Sequence, residues 1–485
     1  MRRELLIVRG GADFRAGAQR SRPAPPSARQ RARSRAAALL AYALASVMAT
    51  TSALAQGLPL IRDSEIENLL KDYSRPIFKA AGLGGQNIAM RIIRHDSFNA
   101  FVVDGRNVFV NTGTLAQAKT PNEVIGVVAH ETGHITGGHL AQLRGRIARD
   151  QTKAILLTVL GIGLMVGGAA SGGDTAREIG SAGGGLAMGG NEMIMRSLLS
   201  ERRAQESAAD QAGLRYLEAT KQSGQGMLET FERFAQQEYI SATYQDPFVR
   251  SHPIATERLS QLRTKVANSP YYTAKDPPEL QLRHDMMRAK IAGYLDRPQA
   301  VFNRYPARDN SLPARYARAI ARNCSGRCAD AIGEVDALLH EKPDNPYLWE
   351  LKGNFYASVG KHPEAIVNLR KALQLSGGAE PLMQAELAQS LISSEDGKVL
   401  DEAIVLLRKA ILSDDDNALA HRQLATALSR KGQEPQALLA TAQAYMIEGN
   451  VKQAQIFAKR AQLKLPRGSP EWIRAEDIVN YKEPT

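Results

Sequence analysis

Residues Val124–Leu143 read VIGVVAHETGHITGGHLAQL, and three histidines and a glutamate fall within the ten residues His130–His139. The apolar run Val124–Ala129 predicts a buried helix, part of a longer one over 122–145. On a helix, positions i and i+4 share a face, so His130 and His134 can both reach one ion. Glu131 lies beside them, close enough to deprotonate a water on that ion. Zinc lowers such a water's pKa towards about 7, which makes hydroxide available near neutrality. A buried apolar helix has no other reason to carry two imidazoles and a carboxylate.

His139 does not fit this set. It stands five residues past His134, and on a continuing helix it is rotated by about 140° away. Metzincins place a third histidine six residues on, and that position here is Leu140. His139 is therefore expected to be structural or to support a ligand. A zinc site still needs a third protein ligand. The stretch SERRAQESAADQAG, 200–213, places Glu206 and Asp210 at i and i+4 on another helix. Glu206 completes a His₂Glu site with an open fourth position, and Asp210 accepts the N–H of a ligand imidazole and fixes its tautomer. Glu201 is a weaker candidate, because no carboxylate follows it four residues later.

Working outward, residues 60–118 open with a helix, DSEIENLLKDYSRPIFKAAGL. Strand-like runs follow, NIAMRIIRH and NAFVVDGRNVFVNTG, the second a hairpin turning at Asp104-Gly105. Ala154–Gly173 is a twenty-residue run without charge, and a second Gly-rich run covers Ile179–Gly190. The second is too short to cross about 30 Å of hydrocarbon. The segment 154–198 is expected to be a helical hairpin that packs on the protein or dips into a membrane face. A Gly-rich flap is the alternative. The C-terminal part repeats: ADAIGEVDALLHEKP, PEAIVNLRKALQL, DEAIVLLRKAILS and PQALLATAQAYMI align on Ala331, Ala365, Ala403 and Ala437, at intervals of 34, 38 and 34. A 34-residue helix–turn–helix period is the tetratricopeptide (TPR) signature. The best copy carries Trp349, Gly353, Tyr356, Ala365, Leu369 and Ala372 at the pattern's positions. The longer interval is expected to put four residues into the loop SSEDGKV.

Composition is ordinary for a globular protein, 44% hydrophobic and 23% charged over 485 residues. The net charge of +12 is concentrated at the N-terminus, where residues 1–55 hold ten Arg, no Lys, and only Glu4 and Asp13 against them. The remainder carries +4, which gives no electrostatic footprint for nucleic acid. Arg29–Arg35 is a basic region, Ala36–Ala49 an apolar one, and Ala53-x-Ala55 offers a cut before Gln56. That is a secretory signal peptide, with translation expected to start downstream of Met1, and it places the mature chain in the periplasm. Cys324 and Cys328 then form either a local disulfide or two free thiols.

HETGH, the E-x-x-x-D of Glu206–Asp210, and SHPIATER at Ser251–Arg258 together resemble the membrane-associated zinc peptidases that include the CAAX prenyl protease and HtpX, in a periplasmic form bearing TPR repeats. The resemblance spans nearly all of the mature chain. It implies one zinc per chain on His130, His134 and Glu206, with Glu131 as general base. It implies that His252 of the H-P motif can take the fourth zinc position and hold the enzyme shut, so that Glu131, His252 and Asp210 form the catalytic set. It gives Arg258 a part in steadying the oxyanion, and it makes Asn99, Ala100 and Phe101 the edge strand on which substrate pairs. The implied fold is mainly α, with α+β character: a gluzincin-like domain with a small sheet at 56–270, linker helices at 271–310, and a TPR solenoid at 311–485. The implied clients are unfolded or misassembled outer-membrane proteins. The implied docking partner of the repeats is the β-barrel assembly machinery, with peripheral membrane contact through 154–198. Two other readings fit the same residues: a TPR chaperone whose zinc site is mostly closed, and an integral membrane protease of the HtpX type.

Overall fold

The computed structural model describes residues 59–103, 105–142, 145, 200–235, 252, 256–394 and 397–482. The expected signal peptide and the Gly-rich segment 154–198 lie outside the described residues. Four strands, β1 (Leu60–Ile61), β2 (Ala89–Ile93), β3 (Ala100–Val102) and β4 (Asn107–Asn111), form one sheet in the order β1-β2-β4-β3. β2 and β4 are parallel, while β3 runs antiparallel to β4, with Ala100 opposite Val110 and Val102 opposite Val108. Gly105, at φ +76°, supplies the left-handed residue between β3 and β4. Among the described residues β3 is thus an edge strand.

Helix α1 (Ser64–Ala80) starts where Asp63 accepts a hydrogen bond from the Ile66 N–H. Its buried Ile66, Leu69, Leu70, Tyr73 and Ile77 recur at helical spacing and face the sheet's core. After the short α2 (Thr112–Gln117), Thr120 caps α3 (Pro121–Thr136), with Pro121 in the first turn. Val124, Ile125, Val127, Val128 and Ala129 are all buried, so α3 runs through the core. Burying each of the larger side chains contributes about 1.5–3 kcal/mol. Around it lie a helix at 200–219, here α4, then α5 (Gln225–Phe234) and α6 (Thr256–Ala267).

Helices α7 (Pro278–Leu295) and α8 (Pro298–Arg304) lead into the repeats. α7 serves two cores: Met287 and Ile291 pack with the sheet and α3, Met286 and Ala289 with the repeats. The repeats pair α9 (Leu312–Cys324) with α10 (Cys328–Glu341), α11 (Pro346–Ser358) with α12 (His362–Leu375), α13 (Pro381–Ser393) with α14 (Leu400–Ser413), and α15 (Ala418–Arg430) with α16 (Glu434–Ile447). Ala331, Ala365, Ala403 and Ala437 each stand fourth in the second helix of their pair, and all are buried. Gly353 shows why small residues are needed, since a Cβ there would meet Leu369 at 2.6 Å. The longer period enlarges the turn between α13 and α14, which holds a short 3₁₀ turn at Gly397–Val399. α17 (Val451–Gln462) and α18 (Pro470–Val479) close the stack. Cys324 ends α9 exposed and Cys328 opens α10 buried, its Sγ 3.4 Å from the Phe355 carbonyl; both are free thiols.

The start of α1 is gripped by the first helices of successive repeats. Tyr316 of α9 donates to Glu65 (2.8 Å), Ser64 donates to Glu350 of α11 (2.5 Å), and Asn68 donates to Glu380 before α13 (2.8 Å). Arg62 and Arg91 then reach Asp414 and Asp416 at 2.7 and 2.6 Å. Lys290 of α7 lies buried between Asp63 (2.8 Å) and Glu65 (3.2 Å), and these carboxylates outweigh burial to hold its pKa well above the ordinary value. Beside it Glu386 of α13 bonds to Asn354 and to Glu350. Burial pushes Glu386 up to about 7 and Glu350 well above the carboxylate range.

An acid whose folded pKa is raised stabilises the fold only while protonated, so this junction loses stability as pH rises from about 4.5 to about 7. Glu386 alone contributes a slope of at most about 1.4 kcal/mol per pH unit. Glu386→Gln is expected to flatten that part of the urea-midpoint profile between pH 5 and 8. An unchanged slope in the variant would rule out Glu386 as its source.

Candidate metal centre

Three segments meet at one point. α3 supplies His130, Glu131 and His134, α4 supplies Glu206 and Asp210, and His252 comes from just before α6. Two glycines let α4 lie close enough. A Cβ on Gly133, inside the HETGH motif, would meet the Ala209 carbonyl at 2.6 Å, and one on Gly213 would meet the His130 nitrogen at 3.1 Å. Larger residues there would push Glu206 and Asp210 out of reach of the histidines.

One ligand atom from each of His130, His134, Glu206 and His252 lies within 4.8 Å of the others. His130 Nε2 is 3.1 Å from His134 Nε2 and 3.2 Å from His252 Nδ1. Glu206 reaches His252 Nδ1 at 3.2 Å, His130 Nε2 at 3.4 Å and His134 Nε2 at 3.5 Å. The opposite ring nitrogens are held as well: His130 Nδ1 by Asp210 at 2.9 Å, His134 Nδ1 by His139 Nδ1 at 2.9 Å, and His252 Nε2 by the Ala100 carbonyl at 3.3 Å. An N–H donated outward at each ring leaves its other nitrogen with a lone pair turned inward. Three inward lone pairs and a carboxylate fit a divalent metal ion. Glu131 borders the group, its buried Oε1 without a hydrogen bond and 3.4 Å from His252 Nε2.

The charges agree with that fit. Burial opposes a charge on His130, but hydrogen bonds to Asp210 and Glu206 win and raise its pKa to about 9. Burial, with the neighbouring His130 charge, drives His134 down to about 2. Burial opposes ionisation of Glu206 too, yet His252 and His130 hold it well below the carboxylate range. Without a metal, one proton on His130 balances the site, and a cation takes its place only by displacing it. Burial raises the Glu131 pKa, as suits a group that must accept a proton.

Some residues have partners that their spacing did not disclose. α3 stops at Thr136, and Gly138 at φ +62° turns the chain back so that His139 meets the far side of His134. A Cβ on Gly137 would lie 2.2 Å from the His139 ring. Arg258, expected near an oxyanion, is instead buried on Asp210, to which Nη2 donates at 2.9 Å and Nε also donates, with Nη1 3.2 Å from Glu206. Its guanidinium is already engaged by carboxylates. Phe231 had no signal in the sequence beyond its apolar face; it packs edge-on to His130 at 5.5 Å, and Arg258 lies 5.1 Å from its ring centre.

The three strand candidates separate. The Asn99 backbone is used internally, its N–H on Thr114 Oγ1 (2.7 Å) and its carbonyl accepting from the Asn111 N–H (3.0 Å). Antiparallel pairing alternates, so Phe101 faces Phe109 in the ladder, while Ala100 and Val102 turn their backbone groups to the open edge. The His252 contact with the Ala100 carbonyl lies on that edge. Val102 was outside the set expected from sequence.

Residues 61–266 match the model of peptidase family M48. A beta-barrel assembly-enhancing protease of Yersinia pestis is 23% identical over 442 residues, 87% of this chain and 84% of its own, and one of Escherichia coli K12 is 22% identical over 440 residues with the same coverage. Metalloprotease LoiP of Escherichia coli K12 is 25% identical over 185 residues, 38% of this chain and 65% of its own. A solved structure of MamA aligns with 33% of this chain and 94% of its own at 17% identity, with a TM-score of 0.27, too low to establish a shared fold. Among the described residues no helix is long and apolar enough to cross a membrane. The chain is a metalloprotease whose residues 61–266 match peptidase family M48, with a helical repeat region after them, and it is similar over most of its length to the beta-barrel assembly-enhancing proteases.

Proposed function

We propose that the chain is a zinc-dependent endopeptidase of the periplasm that degrades misfolded or stalled outer-membrane proteins and assists their assembly. The observation that carries the enzymatic part is the convergence of His130, His134, Glu206 and His252 within 4.8 Å, with Glu131 Oε1, which accepts no hydrogen bond, beside them. His130, His134 and Glu206 would hold the metal, and their nitrogen and oxygen donors suit zinc. When bound, zinc supplies a Lewis acid that polarises the scissile carbonyl. Glu131 takes a proton from the attacking water and passes it to the leaving amine as the C–N bond breaks. Asp210 keeps His130 in the tautomer that a metal needs. The clients rest on the likeness to relatives known as beta-barrel assembly-enhancing proteases. The repeats offer a surface for the assembly machinery, and the segment 154–198 offers peripheral membrane contact.

His252 supports a resting, closed state. It contributes a nitrogen to the metal group and also covers the Ala100 carbonyl, where an added substrate strand would donate. In the zinc-loaded chain from Gln56, His252→Ala is expected to raise casein cleavage by about tenfold, the gain if the closed state holds roughly nine molecules in ten. Bound zinc is measured alongside. Zinc with no cleavage in any variant would replace this reading with a repeat-based chaperone, and absence of zinc would overturn the ligand assignment.

A further inference from the structure

A groove of about 660 Å³ lies between α1 and β2 on one side and the turn that joins α14 to α15 on the other. None of its lining belongs to the metal group. One face of α1 forms a wall, with Lys71, Arg75 and Lys79 each four residues apart. Phe78, Leu83 and Met90 give the groove an apolar, buried lining beneath them. Like charges four apart weaken a helix. Lys79 has a reason of its own, since a cation in the last turn meets the helix dipole. Lys71 and Arg75 have none. Lys71 donates to Asn68 (3.2 Å), and among the described residues no carboxylate pairs with any of the three.

The backbone beside them is also unused. β4 pairs with all five residues of β2, but β1 pairs only with Ile92 and Ile93, because the chain leaves the sheet at Arg62 to start α1. The alternation that carries the Arg94 N–H to the Pro59 carbonyl and the Ala89 N–H to the Arg106 carbonyl turns Met90 towards the side that β1 has left. Among the described residues no backbone bond reaches Met90 from there. Carboxylates already sit at one end of the groove, Asp414 on Arg62 and Asp416 on Arg91, at 2.7 and 2.6 Å. The Asp416 side chain is 61% exposed, so its pair is weak and readily exchanged.

We infer that this groove binds an extended acidic segment of another protein, and that the chain's own turn at 413–416 occupies one end of it at rest. Asp414 and Asp416 show the kind of group the groove takes. Lys71, Arg75 and Lys79 are the cations left for more of it. A strand laid along β2, in the place that β1 vacates, hydrogen-bonds to Met90. Its side chains alternate between two faces, so every second residue turns towards α1. Acidic residues at those positions meet the α1 cations, and a basic segment would meet them as like charges. The incoming carboxylates also compete with Asp414 and Asp416 for Arg62 and Arg91. The inference needs neither metal nor cleavage, so it stands apart from the peptidase reading.

The test uses the chain from Gln56 carrying Glu131→Gln, so that a bound peptide is not cut. Fluorescence anisotropy follows a short labelled peptide that alternates Glu with Thr or Val, and a second with Lys in place of each Glu. The acidic peptide should bind about tenfold or more tightly than the basic one at low salt. The difference should shrink as salt rises. Arg75→Glu with Lys79→Glu should reverse the preference, and Arg75→Lys should retain it. Both residues are exposed, so an unchanged urea midpoint checks that the fold is kept. Asp414→Asn with Asp416→Asn frees Arg62 and Arg91, and should tighten the acidic peptide by about threefold or more. Equal binding of the two peptides, or a preference untouched by the double reversal, would overturn the groove as a site for acidic chain. Unchanged or weaker binding in Asp414→Asn, Asp416→Asn would overturn the turn's part as its resting occupant.

Discussion

Glu131→Gln is expected to lower casein cleavage by about 10²- to 10⁴-fold and to leave bound metal unchanged. Glu131 follows His130 on α3, so its carboxylate borders the ligand group without belonging to it. It is almost fully buried, and its Oε1 has no hydrogen bond to compensate. Burial raises its pKa, and the charges of His252 and His130 only partly offset this. Such a carboxylate takes up a proton more readily than an exposed one, as a general base near neutrality requires. Gln keeps the volume and helix preference and removes only the basicity. His134→Gln, by contrast, deletes a proposed ligand, so metal and cleavage should fall together. Metal content by plasma mass spectrometry, measured beside cleavage, separates the two cases. Full activity in Glu131→Gln would assign proton transfer to another group.

The part of the centre that was legible in the sequence is the part set by helix geometry alone. His130 and His134, like Glu206 and Asp210, stand four apart, and that spacing aims each pair without reference to the rest of the fold. The repeats were legible for the same reason: an alanine at the fourth place of a fourteen-residue helix is a local feature, repeated. Arg258 illustrates what was not. In the sequence it is one basic residue after an H-P motif. Its role comes from packing of α6 against α4, 48 residues away, which drops its guanidinium onto Asp210. Val102 was missed because which groups of a three-residue strand face outward depends on the phase of pairing, and that is set by the Asn99 and Asn111 bond. The double duty of α7 was hidden because both of its faces bury Met, Ala and Ile, which periodicity cannot assign to two different cores. His139 shows the limit of the local argument: its premise was a continuing helix, whereas the helix ends at Thr136 and the chain turns at Gly138, which sets the ring against His134.

Arg258→Met is expected to cost about 3–5 kcal/mol, because it strips the guanidinium from the buried Asp210 carboxylate and leaves His130 as its one charged neighbour among the described residues. Arg258, Asp210 and Glu206 are each buried, so solvent screens little of their interaction. Burial works against ionising Asp210, and Arg258 is the largest influence that keeps its pKa low. Without the guanidinium, Asp210 must protonate or draw water inwards. A protonated Asp210 holds His130 less firmly in its tautomer, so metal affinity should fall by about 10- to 100-fold as well. Adding Asp210→Asn tests the cause. Asn removes the stranded charge and retains an oxygen to accept from His130 Nδ1, so the double variant should recover stability relative to Arg258→Met alone. Denaturant midpoints on metal-free protein isolate the electrostatic effect, and metal titrations report the loss at the site. If the double variant were less stable by the sum of the two single costs, the pair would not be coupled. Arg258 would then act through its packing on Phe231, and Asp210 would hold His130 without it.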